Sequence, residues 1–146
     1  RTAAHKLFIT DVKKHIDKAQ HNLNAALFFD EHGYSDWSAS AFFYCIYHCC
    51  LAIIREHGYE SRNQECTLAV IEFLREEKII ELDRSFIDML LIAKAKEVDL
   101  SIIGIREDFQ YGVEQTFTNR ETFSRLAETC KNILEKTRSI VYKEVE

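Results

Sequence analysis

Between Gly33 and Gly58 the chain runs without a single glycine or proline. That uninterrupted run predicts one long helix over residues 34–59, about 35 Å in length at 1.5 Å per residue. An ordinary surface helix carries one apolar stripe and one polar face. Residues 41–54 have almost no polar face, because Phe42, Phe43, Tyr44, Cys45, Ile46 and Tyr47 together cover more than a full turn. A helix apolar all round is buried on more than one side. The stretch is too short and too rich in Tyr, His and Cys to read as a membrane span. The expected arrangement is a helix that faces its own core on one side and a second chain on the other. Phe43, Tyr47 and Trp37 are then the candidate residues of a homodimer interface.

The rest of the chain fits a single helical domain over residues 1–146. A chain of 146 residues is long enough for one good core. It contains no proline and four glycines, so it has few helix breakers. A net charge of −5 argues against broad electrostatic binding to nucleic acid, while leaving room for a local basic site. No uncharged apolar run of spanning length and no signal peptide stands out, which points to a cytoplasmic location. Five cysteines, three of them in one apolar stretch, do not resemble a secreted disulfide framework. Buried free thiols are the expectation.

Residues 2–32 form the expected first helix, with Val12, Ile16, Ala19, Leu23 and Ala26 as its bundle stripe. Gly33 suits the position just past its end. Ser35 or Asp36 is the candidate N-cap of the helix that follows. A connection this short makes the two helices antiparallel neighbours. A short helix is expected over 64–77, and a third long one over about 80–107, built on Leu82, Phe86, Met89, Leu90, Ala93, Ile102 and Ile103. Residues 106–117 read as a helix end plus a loop around Gly112. Thr118 and Glu121 have the spacing of a capping box and open the last helix. There Phe123, Leu126, Ala127, Cys130, Ile133, Leu134, Thr137, Ile140 and Val141 make a clean seam. The charged end, 143–146, is expected to fray. The predicted fold is all-α: an antiparallel up-and-down four-helix bundle with one short extra helix between the second and third long helices.

Two stretches, ASAFFYCIYH followed by CCLAIIREHG (39–58) and IREDFQY (105–111), resemble the HEPN (higher eukaryotes and prokaryotes nucleotide-binding) superfamily. The likeness is to its small stand-alone members, whose second helix reads roughly A-x-x-x-Y-Y-A-x-F-H and whose third ends in R-x-x-A-D-Y. Phe43 and Tyr44 stand at the paired aromatics, Tyr47 and His48 at the F-H, and Arg106 and Tyr111 at the ends of the second motif. The resemblance implies a helical bundle that dimerises, with a nucleotide- or RNA-binding groove at the interface. It also implies, as for many members, a toxin-like partner of a minimal nucleotidyltransferase antitoxin. Catalytic members are metal-independent ribonucleases with R-x(4–6)-H at the end of the third helix. Here Tyr111 stands five residues after Arg106, and no histidine follows His57, which argues against the usual ribonuclease activity. The family's Ala-Asp is replaced by Phe109 and Gln110, with an acid at Asp108. Cys66 stands where a histidine often precedes the short helix.

Arg106 is the leading candidate for phosphate contact, since its guanidinium suits bidentate recognition. The structural alternative is a helix-end arginine pairing with Glu107 or Asp108. Tyr111 can stack on a base, or plug the Gly112 loop. Tyr44 and Asp108 complete the expected ligand-binding set. His48 is either a neutral core histidine or, beside Arg106, a group able to take a proton near neutral pH. A residual ribonuclease would pair Arg106 with His48 or Tyr111. Cys45, Cys49 and Cys66 with His48 have ligand chemistry for zinc but lie among aliphatic and aromatic residues, so no metal and no cofactor is expected. Glu65, Glu72, Glu76, Glu77 and Glu81 are spaced as a solvated face, and no phosphate-binding loop or nucleophile elbow is present. A non-catalytic dimerisation scaffold, using the aromatic helix for association alone, is the alternative from a different class.

Overall fold

The computed structural model describes residues 3–61, 63–84 and 102–142. All of its described regular structure is helical: α1 (Ala3–Glu31), a 3-10 turn (Ser35–Trp37), α2 (Ser38–Glu56), α3 (Gln64–Glu76), α4 (Ile102–Tyr111) and α5 (Arg120–Val141). The middle of the expected third long helix, 85–101, and the ends of the chain lie outside the described residues.

Contacts fix the direction of each helix. Ser38, opening α2, donates to the carbonyl of Ala26 near the end of α1 (2.7 Å), while Arg55, closing α2, pairs with Asp11 (3.5 Å). The two therefore run antiparallel. In α5, Phe123 meets Phe42 edge-on and the Cys130 thiol reaches the Phe42 carbonyl, whereas Thr137 lies by Cys49, so α5 runs parallel to α2. Near the end of α4, Phe109 stacks on Phe117, whose amide donates to Ser35 Oγ (2.8 Å), while Arg106 lies by Phe43. Helix α4 is thus antiparallel to α2. The result is an up-and-down bundle of α1, α2, α4 and α5, with α3 added after the second helix.

Helix α2 packs against α1, α3, α4 and α5. Twelve of its residues are buried, including Phe42, Cys45, Ile46, Cys49, Ile53 and Ile54. Its all-round apolar character is therefore accounted for within one chain, and the inference that this character requires a second chain does not hold. Phe43, expected at a dimer face, is 3% exposed inside its own chain. Tyr47 is half-buried, and only Trp37 of the three lies open. By length and composition Ser35–Glu56 does reach the standard of a membrane span, contrary to expectation, but 67% of that window is buried by the rest of the fold.

Three helices end in the same way. Gly33 (φ 85°) and Gly58 (φ 87°) adopt left-handed backbone just past α1 and α2, and Tyr34 and Tyr59 donate back to Phe29 and Ile54 across the closing turn. Lys78 (φ 58°) does the same after α3, with Ile79 donating to Leu74 (2.9 Å). A side chain in that region is strained, and no glycine or proline marked the site. Residues 79–83 are consequently irregular, so the third long helix does not begin at Ile80 as expected. Ile80 and Leu82 still bury their side chains, and Arg75 Nε holds the Leu82 carbonyl (2.9 Å).

Other local expectations shift by a few residues. The run 34–59 is a 3-10 turn plus a 19-residue helix rather than one rod. Ser35 caps nothing: its buried hydroxyl accepts the Phe117 amide instead. The last helix is capped by Asn119, whose Oδ1 accepts from the Thr122 amide (3.1 Å), one residue beyond the expected Thr118. Helix α4 continues through Arg106 to Tyr111 and stops at Gly112. A Cβ on Gly112 would lie 2.5 Å from the Asp108 carbonyl oxygen, so only glycine fits that exit unchanged.

Candidate functional site

Arg106 sits in the middle of α4, one residue after the buried Ile105 that faces the core. Its guanidinium carbon lies 4.4 Å from the Phe43 ring centroid and 6.0 Å from that of Tyr44. This is a cation–π seat, which holds the guanidinium over the two rings. Nη1 donates to Gln110 Oε1 (3.2 Å), one turn along α4. The expected pairing with Glu107 or Asp108 is not formed among the described residues. Nε is buried and has no hydrogen-bond partner there, and a buried donor left unpaired is costly.

Phe43 is held from beneath. Its ring stacks nearly flat on Tyr47 (5.9 Å, 9°) and meets Tyr44 edge-on (5.0 Å, 78°). The Tyr47 hydroxyl lies 3.4 Å from Thr67 Oγ1 on α3, and Thr67 in turn donates to the Asn63 carbonyl (2.9 Å). Tyr44 is 41% exposed and forms the open rim of the seat. Asp108 and Tyr111 are exposed on α4, Tyr111 to 80%, and Tyr111 is not packed as a plug against the Gly112 loop. Tyr34, Trp37 and Val113 are exposed on segments flanking the start of α2 and the end of α4. The chain thus presents a seated cation with an unpaired donor, an aromatic rim and open apolar groups nearby.

His48 is engaged elsewhere. Its Nδ1 lies 3.0 Å from Nδ1 of His15 on α1, and the rings stack at 5.3 Å. Two imidazoles joined Nδ1 to Nδ1 need opposite tautomers, one donating and one accepting. Burial, then the charges of His15 and Lys18, push the His48 pKa down to about 4. Burial also lowers that of His15, with Asp11 opposing and Arg55 reinforcing. Both rings are therefore neutral at pH 7. No described contact joins His48 to Arg106, so the pairing of these two as base and phosphate clamp is not assembled within one chain.

The thiols follow the same pattern of internal use. Cys45, Cys49, Cys50 and Cys130 are buried, and Cys45 hydrogen-bonds with Cys130 and Cys49. Hydrogen bonding to Cys130 and burial push the Cys45 thiol up, so it stays protonated. Cys66 is exposed in the first turn of α3, away from this cluster. Among the described residues no group of three or more His, Cys, Asp or Glu is placed to hold a metal.

His15 and Thr67 were not legible as parts of these arrangements from sequence. His15 lies 33 residues from His48, and only the antiparallel packing of α1 on α2 reveals their contact. Gln110 was detectable in principle, as a polar partner at i+4 from Arg106 on one helix face.

The family model described as HEPN domain matches residues 12–140. The chain belongs to the HEPN family. Comparison with curated proteins gives no match. Within this HEPN chain, Arg106 and Tyr111 bound the second half of α4, and Phe43, Tyr44, Tyr47 and His48 follow one another along α2. The two stretches that carry the resemblance are therefore in contact, through Arg106 seated on Phe43 and Tyr44.

Proposed function

We propose that this HEPN chain is a nucleotide- or RNA-binding module that works as a homodimer, as a toxin-like partner of a minimal nucleotidyltransferase, and without the usual ribonuclease activity. The observation that carries this is the seat of Arg106: a partly exposed guanidinium held over Phe43 and Tyr44, with no carboxylate paired to it among the described residues. A phosphate is the ligand group that matches the outer Nη donors of such a guanidinium while neutralising its charge. Tyr44 and Tyr111 offer exposed rings for a base or sugar beside it. Asp108, exposed on the same helix, suits a ribose hydroxyl.

Cleavage of RNA at the 2′-hydroxyl needs a group to take the proton and one to stabilise the phosphorane. Arg106 can supply the second. The residue at 111 is tyrosine, and His48 is committed to His15, so no histidine among the described residues is placed to fill the first role. Dimerisation draws on the exposed Tyr34, Trp37, Tyr111 and Val113, large apolar side chains left open near the start of α2 and the end of α4.

The test is fluorescence anisotropy with a labelled single-stranded RNA and with ATP competition, on wild type and Arg106→Ala, together with sedimentation and an RNA cleavage assay. The expected result is a dimer that binds RNA or nucleotide through Arg106 and cuts nothing. Cleavage by the wild type that is lost in Arg106→Ala would establish a residual ribonuclease instead. A dimer that binds neither ligand would leave the scaffold role.

A further inference from the structure

His15 and His48 form the one pair of imidazoles in direct contact among the described residues, and they are placed where a ring relay begins. His48 meets Tyr47 edge-on (6.3 Å, 68°), Tyr47 stacks on Phe43, and Phe43 seats Arg106. Four consecutive contacts therefore run from α1, through α2, to the guanidinium on α4. The charged groups around the pair are of both signs. Lys18 faces His48 from α1, and Arg55 faces His15 from α2. Asp11 is the opposing carboxylate, and it is shared with Arg55, which also pairs with Glu60. A pocket of about 300 Å³, lined in part by His15, Arg55 and Tyr59, gives water access to the His15 side.

We propose that His15 and His48 are positioning residues, a proton-sharing latch between α1 and α2 that holds the Tyr47–Phe43 platform beneath Arg106 and releases it on acidification. In the neutral pair one Nδ1–H donates to the other Nδ1, and two protons are shared over four nitrogens. A first added proton enters the vacant Nε2 of the donor ring, and the hydrogen bond survives. A second must occupy the accepting Nδ1. Both Nδ1 atoms then carry hydrogen, the bond is lost, and two imidazolium rings at 3.0 Å face Lys18 and Arg55. The His48 ring turns away and Tyr47 loses its edge contact. Burial lowers both pKa values, with Lys18 reinforcing it at His48 and Asp11 opposing it at His15, which keeps the latch closed at neutral pH.

The latch is read directly by ¹⁵N NMR of the full chain, without any ligand. At pH 7 the ring nitrogens of His15 and His48 should show complementary neutral tautomers. Between pH 7 and 3 the Arg106 Nε–H resonance should move together with the second protonation of the pair. A double variant, H15N/H48N, keeps a hydrogen-bonding bridge but cannot take a proton, so its Arg106 resonance should stay near the wild-type position and be flat over the same range. An Arg106 resonance indifferent to the titration in wild type, or still responsive in the double variant, would overturn the proposal. The wild-type titration stands even if the variant does not fold. A binding arm rests on Arg106 being the phosphate-facing group: affinity for a fluorescein-labelled uridine 12-mer, whose bases do not protonate in this range, should fall about threefold in wild type on loss of the platform and stay constant in the double variant. If the 12-mer fails to bind even at pH 7, it is the binding site reading that fails, and the NMR arm still decides the latch.

Discussion

Acid should destabilise this fold in part through His48. In the unfolded chain His48 has its ordinary pKa of 6.5, and in the fold it is about 4. The folded state thus binds fewer protons than the unfolded state between these values, so stability rises with pH there. The contribution is complete above about pH 6.5 and is lost as pH falls toward 4. At ~1.4 kcal/mol per pH unit the full interval corresponds to at most ~3.5 kcal/mol. The ring is only half-buried, and solvent screening brings the expected loss to about 1–2 kcal/mol. For a domain of this size that shifts a urea midpoint by roughly 0.5–1 M. The assay is urea unfolding followed by circular dichroism at pH 7 and pH 4.5, on wild type and His48→Gln. The amide can still bond His15 but does not titrate, so the variant should lose less stability on acidification. Equal losses in the two proteins would refute the assignment of this pH dependence to His48.

Two further outcomes follow from single contacts. Ser35→Ala leaves the buried Phe117 amide without its acceptor and should cost about 1–3 kcal/mol, measured by thermal unfolding, whereas Asp36→Ala, at the other expected cap position, should cost little. Lys78→Gly relieves the left-handed strain at the end of α3 and should raise stability by up to about 1 kcal/mol, against a loss for the same change at an exposed mid-helix position such as Lys131.

Much of the bundle was written in the apolar spacing. The stripe Val12, Ile16, Ala19, Leu23 and Ala26 is buried throughout, as is Phe123, Leu126, Cys130, Ile133, Leu134 and Thr137 on α5. Gly33 marked a true helix end because only a left-handed residue closes that turn. What the sequence hid was tertiary. Ser35 looks like a cap because serine favours caps, yet the amide of Phe117, 82 residues away, claims its hydroxyl. Lys78 terminates α3 against its own propensity, because the Ile79 and Ile80 amides fold back onto Leu74. The all-round apolar surface of α2 suggested a second chain, while four neighbouring helices of the same chain cover it. At the candidate site, Arg106 and Tyr44 were legible as residue types, and the structure joined them. His48 was legible as a titratable group, but its partner was on α1 rather than α4.

The most direct measurement of the central claim is equilibrium binding of a labelled single-stranded RNA to wild type and Arg106→Ala at fixed salt, with circular dichroism showing that both are folded. Loss of one charge-assisted phosphate contact predicts a weakening of about 1.5–3 kcal/mol, roughly tenfold to a hundredfold in Kd. Equal affinity in the two proteins would contradict the account, because the seated guanidinium of Arg106 would then not be where the ligand binds.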